Sequence, residues 1–424
     1  MSVHEPACGA DAPSLRPSLG VVQGIGVALS MVVGSGLLIL PGIGVGLVGA
    51  AAIHAWWINA LLTLPLLLLF AKLGARYPTA GGVAGFAEAA FGYRAGRATE
   101  ALLIGACLPG AAAIGLSGGS YIAAFFGLPP SAETWVGLAV LAVATLVNLG
   151  GAQIAGSVQS LMTFGLIALL GVLAAVALAG PQVDIAAGLT AASPLAALPA
   201  LGALFFAFTG WELFCSTAEE FRQPRRDFPL ALAGAFLAML VLYVGIALAV
   251  QLRLDPSDPA LLRAPVAALA GNLFGPWAEK TVAALGATMI LLALIGGLWG
   301  ASRLIFSAAR EGLLPQALSR VGPSGVPRRA VLTFGLLAVA SLLTARLMGW
   351  NTAMLFELSA QNFLGGYLAA LLAGLRLLKG LPARLALVGL TLGFGAFLGS
   401  FGATLAYAAL SLGLGYWLAP SKRG

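Results

Sequence analysis

The chain has 424 residues, of which 60% are hydrophobic and only 9% are charged. Soluble proteins carry roughly 25% charged residues, so this composition excludes a water-soluble globular protein. The apolar runs are about 20 residues long, which is the length of a membrane-spanning helix. A porin-like barrel is excluded because its strands alternate over about ten residues. The composition therefore predicts an all-α protein that crosses the lipid bilayer several times.

The net charge of +7 follows the predicted topology. With twelve spans and a cytoplasmic N-terminus, 18 of the 22 Lys and Arg residues fall in cytoplasmic segments or at inner span ends. The four that remain outside are Arg253, Arg263, Lys280 and Arg346. This asymmetry follows the positive-inside rule and predicts that both termini are cytoplasmic. Because topology accounts for the charge, no nucleic acid is expected as a partner.

Apolar runs broken by charged residues, proline and glycine predict about twelve transmembrane helices. The predicted spans are residues 21–48, 51–73, 99–126, 134–149, 155–178, 195–221, 228–252, 281–309, 331–345, 352–378, 385–400 and 402–418. Two hydrophilic stretches lie between them, at 253–280 outside and 311–329 inside. Residues 1–20 and 419–424 are predicted cytoplasmic tails, and the first tail lacks the basic and apolar regions of a signal peptide.

The three cysteines lie far apart, without CxxC spacing and without a nearby histidine in the spans. Neither a disulfide framework nor a metal site is expected, and the sequence gives no sign of a cofactor.

The first predicted span carries Gly34-Ser35-Gly36 at its middle and Pro41 about a turn and a half later. A helix break there would free N–H groups on one half-helix and carbonyl groups on the other. The positive N-terminal end of the second half could then hold a carboxylate. Close helix packing through small residues is the alternative interpretation.

The sixth predicted span has a similar interruption. Residues 201–221 (LGALFFAFTGWELFCSTAEEF) place Thr209-Gly210-Trp211 at mid-membrane, five spans after the first interruption. Glycine-interrupted helices in corresponding positions of two halves indicate a transporter built from inverted repeats, with its site at the midplane. The predicted repeats are residues 21–180 and 195–380, followed by two extra helices at 381–418.

Four motifs occur in order along the chain: residues 31–41 (MVVGSGLLILP), 75–82 (ARYPTAGG), 206–229 (FAFTGWELFCSTAEEFRQPRRDFP) and 301–315 (ASRLIFSAAREGLLP). With these motifs the chain resembles the amino acid, polyamine and organocation (APC) superfamily of secondary transporters. Its length, short tails and AEEFRQPRRDFPLAL stretch are most similar to bacterial exporters of methionine and branched-chain amino acids. The resemblance implies a leucine-transporter-like fold of five plus five inverted helices, with helices 1 and 6 broken.

The resemblance also implies a binding site at the two breaks. The substrate carboxylate would bind at Ser35 and the adjacent N–H groups, and the α-ammonium at carbonyls near Val32, Phe206 and Thr209. Aromatic gates are expected in spans six and eight, although each aromatic residue could equally serve packing. The implied substrate-binding residues are Val32, Gly34, Ser35, Gly36, Phe206, Phe208, Thr209, Gly210, Trp211 and Trp299.

The expected pocket segments, residues 31–33, 205–211 and 291–299, contain no charged side chain. A charged substrate side chain would be unpaired there, at a cost of several kcal/mol. The sequence therefore predicts a small neutral apolar amino acid such as methionine, leucine, isoleucine or valine.

Three glutamates are candidates for coupling or gating. Glu212 follows the second break and matches a glutamate common in the family, which favours proton handling or gate stabilisation over a structural hydrogen bond. Glu357 lies four residues before Gln361, and a hydrogen bond to another helix is favoured over a transport role. Glu220 belongs to the mixed-charge stretch 219–227, which could be a cytoplasmic gate network or ordinary surface pairs.

Many members of the superfamily carry a lysine in the fifth span in place of a coupling sodium ion. Residues 158–179 contain neither Lys nor Arg, and that position is Leu166 or its neighbour. The coupling ion is thus open, with a proton-linked antiport favoured.

Other functional classes fit less well. Residues 115–118 (GLSG) match the GxSG string of intramembrane serine proteases, but no histidine follows it, so an enzyme is not expected. A channel would also use broken helices, yet no charged ring or carbonyl filter motif is present. The sequence therefore predicts an inner-membrane amino acid exporter that works by alternating access. An importer or exchanger of the same or other amino acids or amines is the alternative, and a channel is less favoured.

Overall fold

The computed structural model describes residues 19–34, 36–76, 82–150, 156–180, 184–215, 221–321, 326–378, 380–399 and 401–419. Its helices are α1 (Val21–Val32), α2 (Gly36–Val48), α3 (Ala52–Arg76), α4 (Gly82–Phe91), α5 (Tyr93–Phe126), α6 (Glu133–Leu149), α7 (Gly156–Ala179), α8 (Ile185–Thr190), α9 (Leu198–Phe205), α10 (Trp211–Cys215), α11 (Pro224–Arg253), α12 (Ala260–Arg263), α13 (Pro265–Phe274), α14 (Pro276–Arg310), α15 (Arg328–Leu347), α16 (Thr352–Leu377), α17 (Leu381–Gly399) and α18 (Leu405–Leu418). Short 3-10 turns join several of them. The all-helical prediction is confirmed over these ranges.

Within the described ranges, seven helical segments are long and apolar enough to cross a bilayer. They are Gly36–Gly74, Tyr93–Phe126, Pro130–Leu149, Pro224–Arg253, Pro276–Arg310, Arg328–Leu347 and Thr352–Leu377. Shorter apolar helices, including α1, α17 and α18, pack beside them. The chain is a multi-pass helical membrane protein.

Helix α5 forms the middle of the bundle and packs against α16, α14 and α6. Small residues bring α5 and α6 close together: a Cβ atom at Gly119 would lie 2.2 Å from the Glu133 carbonyl oxygen, and one at Gly137 would lie 2.9 Å from the Gly115 carbonyl oxygen. In lipid, such close backbone contact is a main source of helix association, because lipid tails are as apolar as leucine.

The two glycine-rich segments interrupt helices. The first helix stops at Val32 and helix resumes at Gly36, with Val33 in an extended conformation. The second interruption follows α9, where the 3-10 turn Phe206–Phe208 leads into non-helical Thr209 and Gly210 before α10. Helix α1 packs against α10, and α2 packs against α9. The first half of each interrupted helix thus lies beside the second half of the other, so the two run in opposite directions.

Gly210 has a φ of 106°, a conformation that side-chain-bearing residues rarely adopt. A Cβ atom there would lie 3.1 Å from the Met31 carbonyl oxygen and 3.4 Å from a Val32 methyl carbon. Both the backbone angle and the contact with α1 therefore require glycine at the second interruption.

The interpretation of residues 253–280 as a hydrophilic stretch was wrong. Much of it forms α12 and α13, and residues 265–270 are buried against neighbouring helices. The error arose because Arg263 and Lys280 flank a segment that is itself apolar (PVAALAGNLF).

The third predicted span also begins too late, because α5 starts at Tyr93 rather than at residue 99. Its first turns hold buried Arg97, which pairs with Glu100, with Glu311 and, at 3.2 Å, with Glu88. These carboxylates stabilise a charged residue inside the first turns of α5, which the composition alone places outside the span.

A second ion pair lies at the opposite end of α5. The Arg263 Nε atom donates to the Glu133 carboxylate, and Arg263 Nη2 donates to the Leu128 carbonyl at 2.9 Å. Ser120 Oγ donates to the other Glu133 oxygen at 2.7 Å. Arg263 thereby fastens α12 to the turn between α5 and α6.

Candidate functional site

A cavity of about 610 Å³ lies beside the two interruptions and is called the central cavity below. One wall is formed by residues 292–301 of α14, and others come from α1, α5 and α16. Eight of the candidate residues line it: Val32, Gly34, Gly36, Phe206, Thr209, Gly210, Glu212 and Trp299. The fold thus brings together residues that are more than 260 positions apart in the sequence.

Two predicted aromatic residues are absent from the described lining of the central cavity. Phe208 is fully buried, and its ring centroid lies 6.0 Å from that of Trp56 and 5.8 Å from that of Tyr243. Trp211 is fully buried against Phe236. Both pack within the core in this conformation. Ser35 and Glu220 lie outside the described residues.

The two interruptions contact each other at the cavity. A Cβ atom on Gly36 would lie 3.6 Å from the Phe206 ring and 3.9 Å from Ala207 Cα. Phe206 also packs on Phe356, with ring centroids 4.6 Å apart. A ligand bound here would touch both interrupted helices and α16 at once.

Two of the carbonyl groups expected to hold an ammonium already accept hydrogen bonds. The Val32 oxygen accepts one from the Tyr243 hydroxyl at 3.0 Å. The Phe206 oxygen accepts two from Thr209, from N at 3.2 Å and from Oγ1 at 2.8 Å. A carbonyl oxygen has two lone pairs, so Val32 retains acceptor capacity whereas Phe206 is satisfied within its own turn.

Glu212 is the one acidic or basic residue among the described residues that line the cavity. Its side chain is buried, and its Oε2 atom accepts hydrogen bonds from Gly210 N at 3.0 Å and from the Tyr367 hydroxyl. The carboxylate therefore joins the second interruption to α16.

Several lining residues were missed by the sequence analysis. Asn148 Nδ2 donates to the carbonyls of Ala144 and Ile295, at 2.9 and 3.1 Å, and so joins α6 to α14. Ser359 Oγ donates to the Ala106 carbonyl at 2.7 Å, joining α16 to α5. Both residues could have been found from the sequence, because each is a lone polar side chain within an apolar span. Such a side chain needs a hydrogen-bond partner inside the protein when it lies in lipid.

Tyr243 and Tyr367 were also missed. Each is a tyrosine inside an apolar helix, and buried hydroxyl groups of this kind usually find a hydrogen-bond partner. Sequence could have marked both as polar contacts, but not their acceptors, which lie on other helices.

Glu357 lies away from the central cavity. It is half-buried, and its Cγ atom lies 3.3 Å from the position of a Cβ atom on Gly202 of α9. Within the described part of the chain, Glu357 does not make the expected hydrogen bond to another helix. Both amide atoms of neighbouring Gln361 are buried without a partner there.

The rest of the lining is mainly apolar, with Ile114, Met289 and Leu292 among the side chains that face the space. Leu166 of α7, which with its neighbours was expected in place of the lysine of many APC members, lines it as well. The cavity therefore presents backbone polar groups, mainly apolar side chains and a few polar side chains such as Asn148 and Ser359 around one carboxylate.

Comparisons with known proteins agree with this architecture. A family model described as amino acid permease matches residues 19–413. The L-methionine/branched-chain amino acid exporter YjeH of Escherichia coli (strain K12) is 30% identical over 421 residues, covering 96% of this chain and 97% of that protein.

Two further relatives carry other names. The putrescine transporter PotE of Escherichia coli (strain K12) is 28% identical and covers 74% of this chain and 73% of its own length. The serine/threonine exchanger SteT of Bacillus subtilis (strain 168) is 27% identical, and the match covers 73% of this chain and 72% of that protein. The named relatives are transporters rather than enzymes. The chain belongs to the amino acid permease family of the APC superfamily and is a multi-pass membrane transporter.

Proposed function

We propose that the chain is a secondary transporter of small neutral apolar L-amino acids, with methionine, leucine, isoleucine and valine as substrates. We infer that it resides in the inner membrane and exports these amino acids by proton-linked antiport. The observation that carries the proposal is the central cavity, where two helix interruptions meet among apolar side chains.

Backbone groups recognise the two charges that every amino acid carries. Helix α2 begins at Gly36, and Leu37 N in its first turn donates to the Gly34 carbonyl at 3.3 Å. The other N–H groups of that turn have no acceptor within the helix, and they and the positive dipole are assigned to the substrate carboxylate. The C-terminal end of α1 offers carbonyl oxygens to the α-ammonium, with remaining acceptor capacity at Val32. Because the Phe206 oxygen already has two donors, the ammonium is assigned to α1 rather than to the 3-10 turn.

Side-chain selectivity follows from the apolar lining. Ile114, Met289 and Leu292 offer dispersion contacts but no partner for a charge. The Glu212 carboxylate is already bound to Gly210 and Tyr367, so it is not free to pair with a basic side chain. An ionised substrate side chain would lose its hydration there without compensation, at a cost of several kcal/mol.

Glu212 is the proposed site of proton coupling. As a carboxylate it accepts hydrogen bonds from both Gly210 N and Tyr367 on one oxygen. A proton would remove the negative charge, make one carboxyl oxygen a donor and leave a weaker acceptor, and so weaken the link between the second interruption and α16. Proton binding could thus alter the equilibrium between cavity states, which is what coupling requires.

Alternating access is proposed to use a twelve-span architecture of two inverted five-helix repeats. The units are residues 21–180 and 195–380, with 381–418 outside the repeats and both termini cytoplasmic. The opposite directions of the two interrupted helices support an inverted relation. The seven long apolar segments and the shorter apolar helices together are compatible with twelve spans.

Export is favoured because the relative that shares 30% identity over 96% of this chain is named an exporter. Exchange is the second candidate, favoured by the relative named a serine/threonine exchanger. The same cavity serves both, since direction depends on gradients.

Counterflow in proteoliposomes tests the proposal. Vesicles loaded with unlabelled leucine should accumulate labelled leucine and methionine transiently and saturably, whereas a channel gives no such accumulation. An outward or inward pH gradient should change the rate in opposite senses. If a monodisperse preparation exchanges no neutral amino acid, the substrate assignment fails.

A further inference from the structure

Arg303 lies at the edge of the central cavity, on the helix that forms one of its walls. Residues 292–301 and Leu304 of α14 line the space, and Arg303 lies between lining residues of that helix without being one of them. Its guanidinium carbon is 3.7 Å from the centroid of the Trp299 ring, and Nη1 donates to the Trp299 carbonyl at 2.9 Å. These two contacts fix a positive charge on the indole of a cavity-lining residue.

No carboxylate of the described chain is close enough to Arg303 to form an ion pair. The described ion pairs involve Arg97 and Arg263, at the two ends of α5. Among the described residues the charge of Arg303 is therefore not cancelled by a neighbouring carboxylate, and its field extends into the adjoining cavity.

Trp299 is one of the residues that line this wall, and 44% of the residue is accessible. An indole face attracts ammonium and guanidinium groups within about 6 Å of its centroid. Here the protein's own Arg303 occupies one such face. A cationic ligand therefore meets a like charge where a bare tryptophan would attract it.

We propose that Arg303 is a specificity-determining residue that excludes cationic side chains and amines from the central cavity and admits zwitterionic amino acids. This inference rests on the proposed function. It assigns the discrimination to a charge at the cavity edge, in addition to the apolar lining, and it predicts opposite effects on cationic and anionic ligands.

The size of the effect follows from Coulomb's law. Two unit charges about 10 Å apart, at an effective dielectric constant of about 20, change a binding constant by roughly tenfold. Removing the charge of Arg303 should improve the relative affinity for a cation by that factor and weaken that for an anion similarly. If the substitution only changed the shape of the cavity, its effect on the relative affinity would not have opposite signs for cations and anions.

The test is competition against leucine counterflow in proteoliposomes. Lysine and norleucine have similar length and differ by one ammonium group, and glutamate and glutamine form the corresponding anionic pair.

In Arg303→Gln the ratio of the inhibition constant of lysine to that of norleucine should fall about tenfold. The ratio of the inhibition constant of glutamate to that of glutamine should rise. Arg303→Lys keeps the charge and should retain both ratios. Arg310→Gln, on the exposed end of α14, should match the wild type.

Unchanged ratios in Arg303→Gln, or both ratios moving in the same direction, overturn the inference while leucine counterflow still supports the proposed function. Absence of leucine counterflow in the wild type overturns the proposed function and the inference with it. The wild type provides a test that does not depend on variant folding: increasing the salt concentration from about 0.01 M to about 1 M should lower the lysine to norleucine ratio. A salt-independent ratio contradicts a charge effect.

Discussion

The Tyr367 hydroxyl on α16 donates a hydrogen bond to the Glu212 carboxylate. Glu212 lies two residues after Gly210, which interrupts the second broken helix. Tyr367 and Glu212 are 155 positions apart in the sequence, and both are buried. Because the same carboxylate oxygen also accepts from Gly210 N at 3.0 Å, the state of Glu212 affects the interruption and α16 together.

Replacing Glu212 by Gln should flatten the pH dependence of amino acid exchange, because the amide cannot bind or release a proton in the working range. Exchange itself should continue at a reduced rate, since Gln can still hydrogen-bond to Tyr367. Counterflow measured from pH 5 to pH 8 checks this. A pH profile identical to that of the wild type would remove Glu212 from coupling.

Replacing Tyr367 by Phe should slow exchange but leave it pH-dependent, because the titrating carboxylate stays while its tie to α16 is lost. The matched control is Tyr407→Phe, which removes a hydroxyl that donates to the Gly105 carbonyl at 2.7 Å, away from Glu212. That variant should keep the wild-type pH profile. Equal effects of the two substitutions would mean that the Tyr367 contact is only structural.

Gly210→Ala should destabilise the protein and reduce exchange. Its φ of 106° and the 3.1 Å approach to the Met31 carbonyl oxygen oppose a Cβ atom, at a cost of about 1–3 kcal/mol. Thermal unfolding in detergent should show a lower midpoint. Gly165→Ala, in the helical part of α7 with no neighbour within 4 Å of a Cβ atom, should leave the midpoint unchanged or raise it slightly.

Arg97→Gln should be strongly destabilising, because it leaves buried Glu100 and its neighbours Glu88 and Glu311 without their shared cation. Breaking a buried ion pair by removing one partner costs about 3–5 kcal/mol. Arg94→Gln changes an exposed residue three positions earlier and serves as the control. Equal thermal midpoints for the two variants would show that the buried cluster adds nothing to stability.

The Arg263 and Glu133 pair should respond to charge reversal. Either Arg263→Glu or Glu133→Arg alone should lower the thermal midpoint, since like charges would then meet between α12 and α6. The double variant should recover part of the loss. No recovery would indicate that Leu128 and Ser120, which also bind these side chains, set the geometry instead.

Sequence predicted the places where the helices break better than the directions in which side chains point. Gly34, Gly36 and Gly210 mark the interruptions because glycine weakens a helix locally. In an apolar span every face is apolar, so no periodicity shows which side faces a cavity. This is why Phe206 and Phe208 could not be distinguished, although one lines the cavity and the other packs on Trp56.

The hydrogen-bond partners of Tyr243 and Tyr367 could not be predicted for a related reason. Each acceptor lies on a helix more than 150 positions away, and its approach depends on how the helices pack. The buried segment α13 was missed because its flanking charges dominated the local composition.

Transport of neutral apolar amino acids through the cavity at the two interruptions can be measured in the purified protein. The most direct measurement is labelled leucine counterflow by the purified protein, with unlabelled methionine, lysine and glutamate as competitors. We expect saturable accumulation of leucine that methionine suppresses and that lysine and glutamate at equal concentration leave nearly unchanged. Stronger competition by lysine or glutamate than by methionine would contradict it.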